Sequence, residues 1–149
     1  MEHSKYGDDF NVGDIYHTAG ITLTEAHLIN WAGLTMDFYP LHMDKEYAAK
    51  TPFGERLVHG PLIFAMAVGL VGMAGFAGDS AIAWLGVDNM KMLSPVKIGD
   101  TVKVEVEVME KQTTSKPERG IQVWKYTVKN QRGEAVMVLD YKMMFHMRV

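Results

Sequence analysis

Between Gly60 and Gly78 the chain carries no charged residue, and no other feature restricts its fold as strongly. The run reaches the length that a membrane-spanning helix needs. Several features oppose that use. Pro61 stands at its front, and Gly69, Gly72, Gly75 and Gly78 dilute it. The glycines recur every three residues, whereas the helix-dimer motif of membranes spaces them by four. No second apolar span follows. A helix that is apolar all round is instead one that a protein interior buries. The reading is therefore a long buried helix, not a membrane span. It starts at His59-Gly60-Pro61, where proline gives up an N–H that would be unpaired anyway, and ends among Gly75 to Gly78.

The rest of the pattern surrounds that helix with strands. Thr24 is a suitable N-cap with Glu25 in the first turn, and Leu28, Trp31, Ala32 and Thr35 form one apolar stripe. Pro40 is expected to stop this helix, leaving Met36 to Lys45 as a loop. Beyond the uncharged run the period changes from helical to two. Val102, Val104, Val106 and Val108 alternate with Lys103, Glu105 and Glu107, as in a half-buried strand. Further strands are expected at Ile15 to Gly20, Ile82 to Met92, about Ile121 to Lys129 and Ala135 to Met147. In the last of these, Met137, Leu139, Tyr141, Met143 and Phe145 share one side. A polar turn from Asn130 to Glu134 precedes it. With 149 residues, 48% of them hydrophobic, the chain can fill one core and is not disordered. We read residues 1–149 as one α+β domain, a sheet wrapped around a long helix.

Charge and cysteine content then remove whole classes of function. With 18 acidic and 15 basic residues the chain lacks the positive field of a general nucleic-acid binder. Cysteine is absent, which excludes disulfides, thiol nucleophiles and cysteine-ligated metals. No phosphate-binding loop or dinucleotide fingerprint is present. His17, His27 and His146 have no acidic or histidine partners at ligand spacing, and His42 and His59 need further ligands to hold an ion. No metal and no separate cofactor are expected. The start, MEHSKYGDDF, lacks the basic-then-apolar order of a secretory signal, so a cytoplasmic setting is expected.

Two stretches can carry chemistry. In Asp37-Phe-Tyr-Pro-Leu-His42 a proline loop can fold a carboxylate and an imidazole towards one point. There they could hold and polarise a single water, the carboxylate taking its proton. On spacing alone Asp37 serves equally as a turn cap and His42 as a satisfied loop histidine. In Phe53-Gly54 to His59-Gly60-Pro61 the first N–H groups of the buried helix point outward at the positive end of its dipole. They could stabilise an enolate oxygen, or the glycine could simply permit tight packing.

These residues resemble the MaoC-like hydratases, a hotdog family that includes the (R)-specific enoyl-CoA hydratases. The likeness rests on Asp37, Pro40, Leu41, His42 and Asp44, then Tyr47-Ala48, Thr51, Phe53-Gly54 and Val58-His59-Gly60, with Ser94-Pro95-Val96 and Gly99-Asp100 later. The resemblance implies an antiparallel hotdog sheet around the helix. It implies a hydro-lyase that adds or removes water at the C2=C3 bond of an enoyl thioester, on coenzyme A or acyl carrier protein. Asp37 and His42 would be the catalytic pair, and the Gly60 N–H would bind the thioester carbonyl. Tyr39, Phe53, Gly54, His59 and Ala65 would line the substrate site, completed in a homodimer or higher homo-oligomer. Coenzyme A would enter only as part of the substrate, with Lys91, Lys97, Lys116 and Arg119 as candidate partners for its phosphates. The family's usual glycine before the aspartate is Met36 here, its asparagine before the proline is Tyr39, and a helix serine is Ala65. Hotdog proteins also include acyl-CoA thioesterases and non-catalytic subunits of paired dehydratases; the retained Asp37 and His42 favour the hydro-lyase.

Overall fold

A computed structural model describes residues 3–149. Ahead of the uncharged run come strands β1 (Ile15–His17) and β2 (Ile21–Thr22), helix α1 (Glu25–Thr35), and two one-turn helices, α2 (Pro40–Met43) and α3 (Lys45–Ala48). The run itself forms α4 (Gly60–Ala74), and four long strands follow: β3 (Ala81–Met92), β4 (Thr101–Thr113), β5 (Arg119–Lys129) and β6 (Ala135–His146). The strands make one antiparallel sheet in the order β1-β4-β5-β6-β3, with β2 also paired to β4.

The alternation read from the sequence sets the two faces of this sheet. Val102, Val104, Val106 and Val108 are buried, as are Trp124, Tyr126 and Val128 of β5 and Met137, Leu139, Tyr141, Met143 and Phe145 of β6. These side chains form one core with Leu62, Ile63, Ala67, Leu70 and Val71 of α4. The helix is thus buried on one face only. Pro61, Gly69, Gly72 and Met73 lie on its exposed side, because a single sheet covers a helix from one direction. The expectation of a helix enclosed all round is corrected to that extent. Gly75 ends α4 in the left-handed conformation at φ 68°, within the region where the glycines predicted a stop.

Three further boundaries differ from the sequence reading. Ile15 to Gly20 is not one strand. The Thr18 hydroxyl accepts from the Val104 N–H at 2.9 Å, in the place of a backbone carbonyl, and the ladder breaks between β1 and β2. Strand β4 runs on to Thr113, past a bulge between Val108 and Glu110, because β5 supplies partners to that point. Finally, Pro40 does not stop α1. The helix already ends at Thr35, where Met36 turns left-handed at φ 66°, and Pro40 opens α2 instead of lying in a plain loop. Proline suits a first helical position, so the residue expected to break one helix begins another.

Met36 is 77% exposed and makes its turn against the steric preference of a side-chain-bearing residue. Met36→Gly is expected to raise stability by up to about 1 kcal/mol, read from the urea midpoint, since it relieves the left-handed penalty without removing a buried contact.

Candidate active site

Three stretches of backbone meet at the start of α4 and bring distant residues together. The Leu57 N–H donates to the Leu41 carbonyl at 3.3 Å, the Val58 N–H donates to the Val96 carbonyl at 2.8 Å, and Leu57 bridges to Lys97. Arg56 grips Glu25 at the start of α1 with both of its terminal nitrogens, which ties the same stretch to the first helix. The left-handed turn at Met36 then delivers Asp37, and α2 delivers His42. Asp44 caps α3 by accepting from the N–H groups of Glu46 and Tyr47, so its carboxylate serves local structure.

As a result Asp37, His42 and His59 each place a side-chain ligand atom within 4.8 Å of the other two. One water bridging two groups by bonds of about 2.8 Å spans just such a gap. The tautomers follow from the partners, because a carbonyl oxygen only accepts. His42 Nδ1 lies 2.7 Å from the Leu57 carbonyl and therefore carries the proton. In the neutral ring that leaves Nε2 as an acceptor on a half-buried side chain. His59 Nε2 lies 3.0 Å from the Asp37 main-chain carbonyl and donates to it, while its Nδ1 is enclosed without a partner.

His59 has no exposed surface, and its ring stacks on that of His42 at 4.0 Å. Burial pushes its pKa below the ordinary value, and the nearby His42 lowers it further, against an opposing hydrogen bond to Asp37. The ring is therefore neutral at pH 7. It packs behind Asp37 and His42, sealed from solvent. The three groups have the makings of a cation site, but a metal lies in the plane of every imidazole that binds it. Rings stacked face to face do not aim their lone pairs at one ion, so the arrangement suits hydrogen bonding better.

In front of His42 a groove of about 330 Å³ runs past Phe53, Gly60 and the stretch from Met92 to Val96. The N–H groups of Gly60 and Leu62 have no intrahelical partner at this end of α4. A Cβ on Gly60 would meet only Met92, at 3.6 Å, so packing within the chain does not demand glycine there. The groove brings Phe53 and Gly60 to His42. It does not bring Gly54, which faces a separate hollow beside Arg56, or Ala65, which lies further along α4. Tyr39 is exposed, with its ring 6.2 Å from that of His42. Of the four candidate phosphate-binding cations, Lys97 is already paired with Glu55 at 2.7 Å. Arg119 pairs with His146, at the far end of β6 from the groove residue Met92, which pairs with Met137, and Lys116 lies in the turn just before it. Lys91, next to Met92, and Lys97, next to Val96, both adjoin the groove, and of these two Lys91 has no carboxylate partner among the described residues. Sequence reasoning did not name Met92 and Leu93, since only the pairing of β3 with β6 brings them there.

Comparison with known proteins follows the same lines. Residues 10–130 match the family model described as the MaoC like domain. Protein MaoC of Klebsiella aerogenes is 41% identical over 107 residues, 72% of this chain and 31% of its own length. The (R)-specific enoyl-CoA hydratase of Aeromonas caviae is 40% identical over 83 residues, 56% of this chain and 60% of its own. The chain thus spans about a third and three-fifths of these relatives. In solved structures, the monoamine oxidase regulatory protein of Archaeoglobus fulgidus superposes with a TM-score of 0.91 at 35% identity, covering 97% of this chain and 96% of the other. The MaoC-like dehydratase of Rhodospirillum rubrum gives 0.84 at 27% identity, covering 98% and 99%. The sheet-and-helix architecture is the hotdog fold, shared at a TM-score of 0.83 and 20% identity with a double-hotdog protein of Mycobacterium tuberculosis, over 97% of this chain and 44% of that one.

The state of His59 also sets a pH dependence of stability. Its folded pKa lies below 6.5, so on acidification the unfolded chain takes up the proton first. Its contribution is complete above pH about 6.5 and declines as the pH falls through that value. Urea midpoints measured from pH 8 to pH 5 should drop over this window, and His59→Gln should flatten the drop.

Proposed function

Since the chain belongs to the MaoC-like domain family, we propose that it is a hydro-lyase acting on the C2=C3 bond of an enoyl thioester. The observation that carries this reading is that a ligand atom of Asp37 and one of His42 lie within 4.8 Å of each other, a separation that one water can span. That water donates one hydrogen bond to Asp37 and one to His42 Nε2, which leaves an oxygen lone pair for C3 of the substrate. Asp37 takes the water's proton as the C3–O bond forms and passes it to C2 as the double bond is lost, so the net addition is one water and the carboxylate is regenerated. In the reverse direction the same groups remove it. His59 fixes the geometry from behind by holding the carbonyl of Asp37 and stacking on His42.

The thioester carbonyl lies in this reading against the Gly60 N–H, where the positive end of α4 offsets charge gathering on the oxygen in the enolate-like transition state. The lack of a side chain on Gly60, whose Cβ would meet only Met92 at ordinary contact distance, is consistent with close approach of that oxygen. Phe53 and Met92 flank the thioester, and Ala65 borders the acyl chain further along the helix. The carrier is coenzyme A or acyl carrier protein. Relatives bearing names of both kinds exist, the Aeromonas caviae hydratase and a mitochondrial 3-hydroxyacyl-[acyl-carrier-protein] dehydratase of Arabidopsis thaliana.

The working unit in this proposal is a homodimer or a larger assembly of dimers. Among the described residues strand β3 pairs on one side only, with β6, and it carries exposed Trp84, Leu85, Met90 and Met92. An apolar unpaired edge of this length invites another chain. A second copy laid along it would also cover the open face of α4. Sedimentation should give about twice the 16.7 kDa chain mass or a multiple of that, and Leu85→Lys should shift it towards monomer.

Hydration of crotonyl-CoA, followed as loss of enoyl thioester absorbance, tests the chemistry. Asp37→Asn and His42→Ala should each lower the rate by about 10² or more. Full activity in both variants would remove the pair from the mechanism, and release of free thiol without hydration would replace it with thioester hydrolysis.

A further inference from the structure

A second cavity, of about 190 Å³, lies between the C-terminal half of α4 and strands β5 and β6. Its walls are apolar apart from two phenols, Tyr126 and Tyr141. Tyr126 is 1% exposed and Tyr141 7%, yet neither hydroxyl has a hydrogen-bond partner among the described residues. Neither oxygen is enclosed, so both are reached by water from the cavity that the two residues line. The two rings stack at 5.0 Å and 16°, and both side chains line this one cavity. Burial raises both phenols above their ordinary pKa, which keeps them neutral donors.

We infer that this cavity receives the far end of the acyl chain, and that Tyr126 and Tyr141 select a chain bearing a neutral oxygen there. The inference rests on the enoyl thioester reading above and adds the class of acyl group. Val68, at the near side of the cavity, is eight residues from Gly60 on the same helix, about 12 Å along its axis. A crotonyl group is too short to reach it; a medium-length chain is not. The cavity is open at the C-terminal end of α4, where Cβ positions built on Gly72 and Gly75 meet nothing within 4 Å. No charged side chain lines the cavity, so a carboxylate tail would be buried without a counter-ion. A hydroxyl or keto oxygen instead satisfies both phenols at no such cost.

Saturated thioesters bind without reacting and so isolate recognition from catalysis. Calorimetric affinities are compared for octanoyl- and decanoyl-CoA and for their 7-hydroxy and 9-hydroxy counterparts. At one of the two lengths the hydroxylated chain should bind at least tenfold tighter. The double variant Tyr126→Phe/Tyr141→Phe should lose that gain while melting no lower than the wild type, since the hydroxyls it removes hold no internal partner. Equal or weaker binding of the hydroxylated chains overturns the inference, as does a gain that survives in the double variant. Crotonyl-CoA hydration by the wild type is measured alongside. Activity with no hydroxyl gain discards the selective pocket and keeps the reaction; a hydroxyl gain without hydration discards the reaction and keeps the pocket.

Discussion

Placing the His59 ring wholly inside the protein costs solvation, and two contacts offset that cost: its stack on His42 and its hydrogen bond to the Asp37 carbonyl. Those contacts also join three pieces of chain that are far apart in sequence. Asp37 hangs from the end of α1, His42 sits on the single turn of α2, and His59 is the N-cap of α4. Neutrality of the buried ring is part of the arrangement, because a charged His59 would repel the positive end of the helix it caps as well as a protonated His42. The separation of Asp37 from His42, on which the proposed water depends, is therefore a consequence of how α4 begins.

The same helix links the site to the rest of the architecture. Its inner face, from Leu62 to Val71, packs on the alternating side chains of β4, β5 and β6, which fixes the height of Gly60 over the sheet. Its outer face is left open, as is the edge of β3. Both exposed surfaces lie beside the groove that runs past Met92. An assembly that covered them would also shape the entrance through which a thioester would pass. Small side chains at the end of α4 leave the inner cavity reachable, so one helix borders both the groove and the cavity.

Most of the architecture is legible in the periodicity of the sequence. The valines of β4 and the apolar side of β6 needed only the two-residue period, and Gly75 marked a helix end through its own conformational freedom. The errors lie where a long-range partner overrides a local signal. Thr18 breaks a strand because its hydroxyl reaches Val104, and Met36 ends a helix five residues after Trp31 although its side chain disfavours the turn. Met92 and Leu93 escaped notice as groove residues because strand pairing, not spacing, places them. Lys97, Lys116 and Arg119 looked alike as lysines and arginines of the surface, and only pairing and position on the sheet separated them from Lys91.

Within the site, the identities of Asp37, His42 and the His59-Gly60-Pro61 helix start were written in the sequence, since they depend on residue type and on what proline and glycine do to a backbone. Their roles were not. Which imidazole nitrogen is free, which histidine is sealed and which faces the groove all follow from hydrogen bonds to the carbonyls of Leu57 and Asp37. The two unpartnered phenols likewise emerge only when β5 and β6 are laid side by side. The sequence by itself determined the helix, the strand faces and the chemical groups available, because those follow from periodicity and composition. The tertiary structure alone decided their distances and protonation states, because both depend on neighbours that the chain brings in from afar.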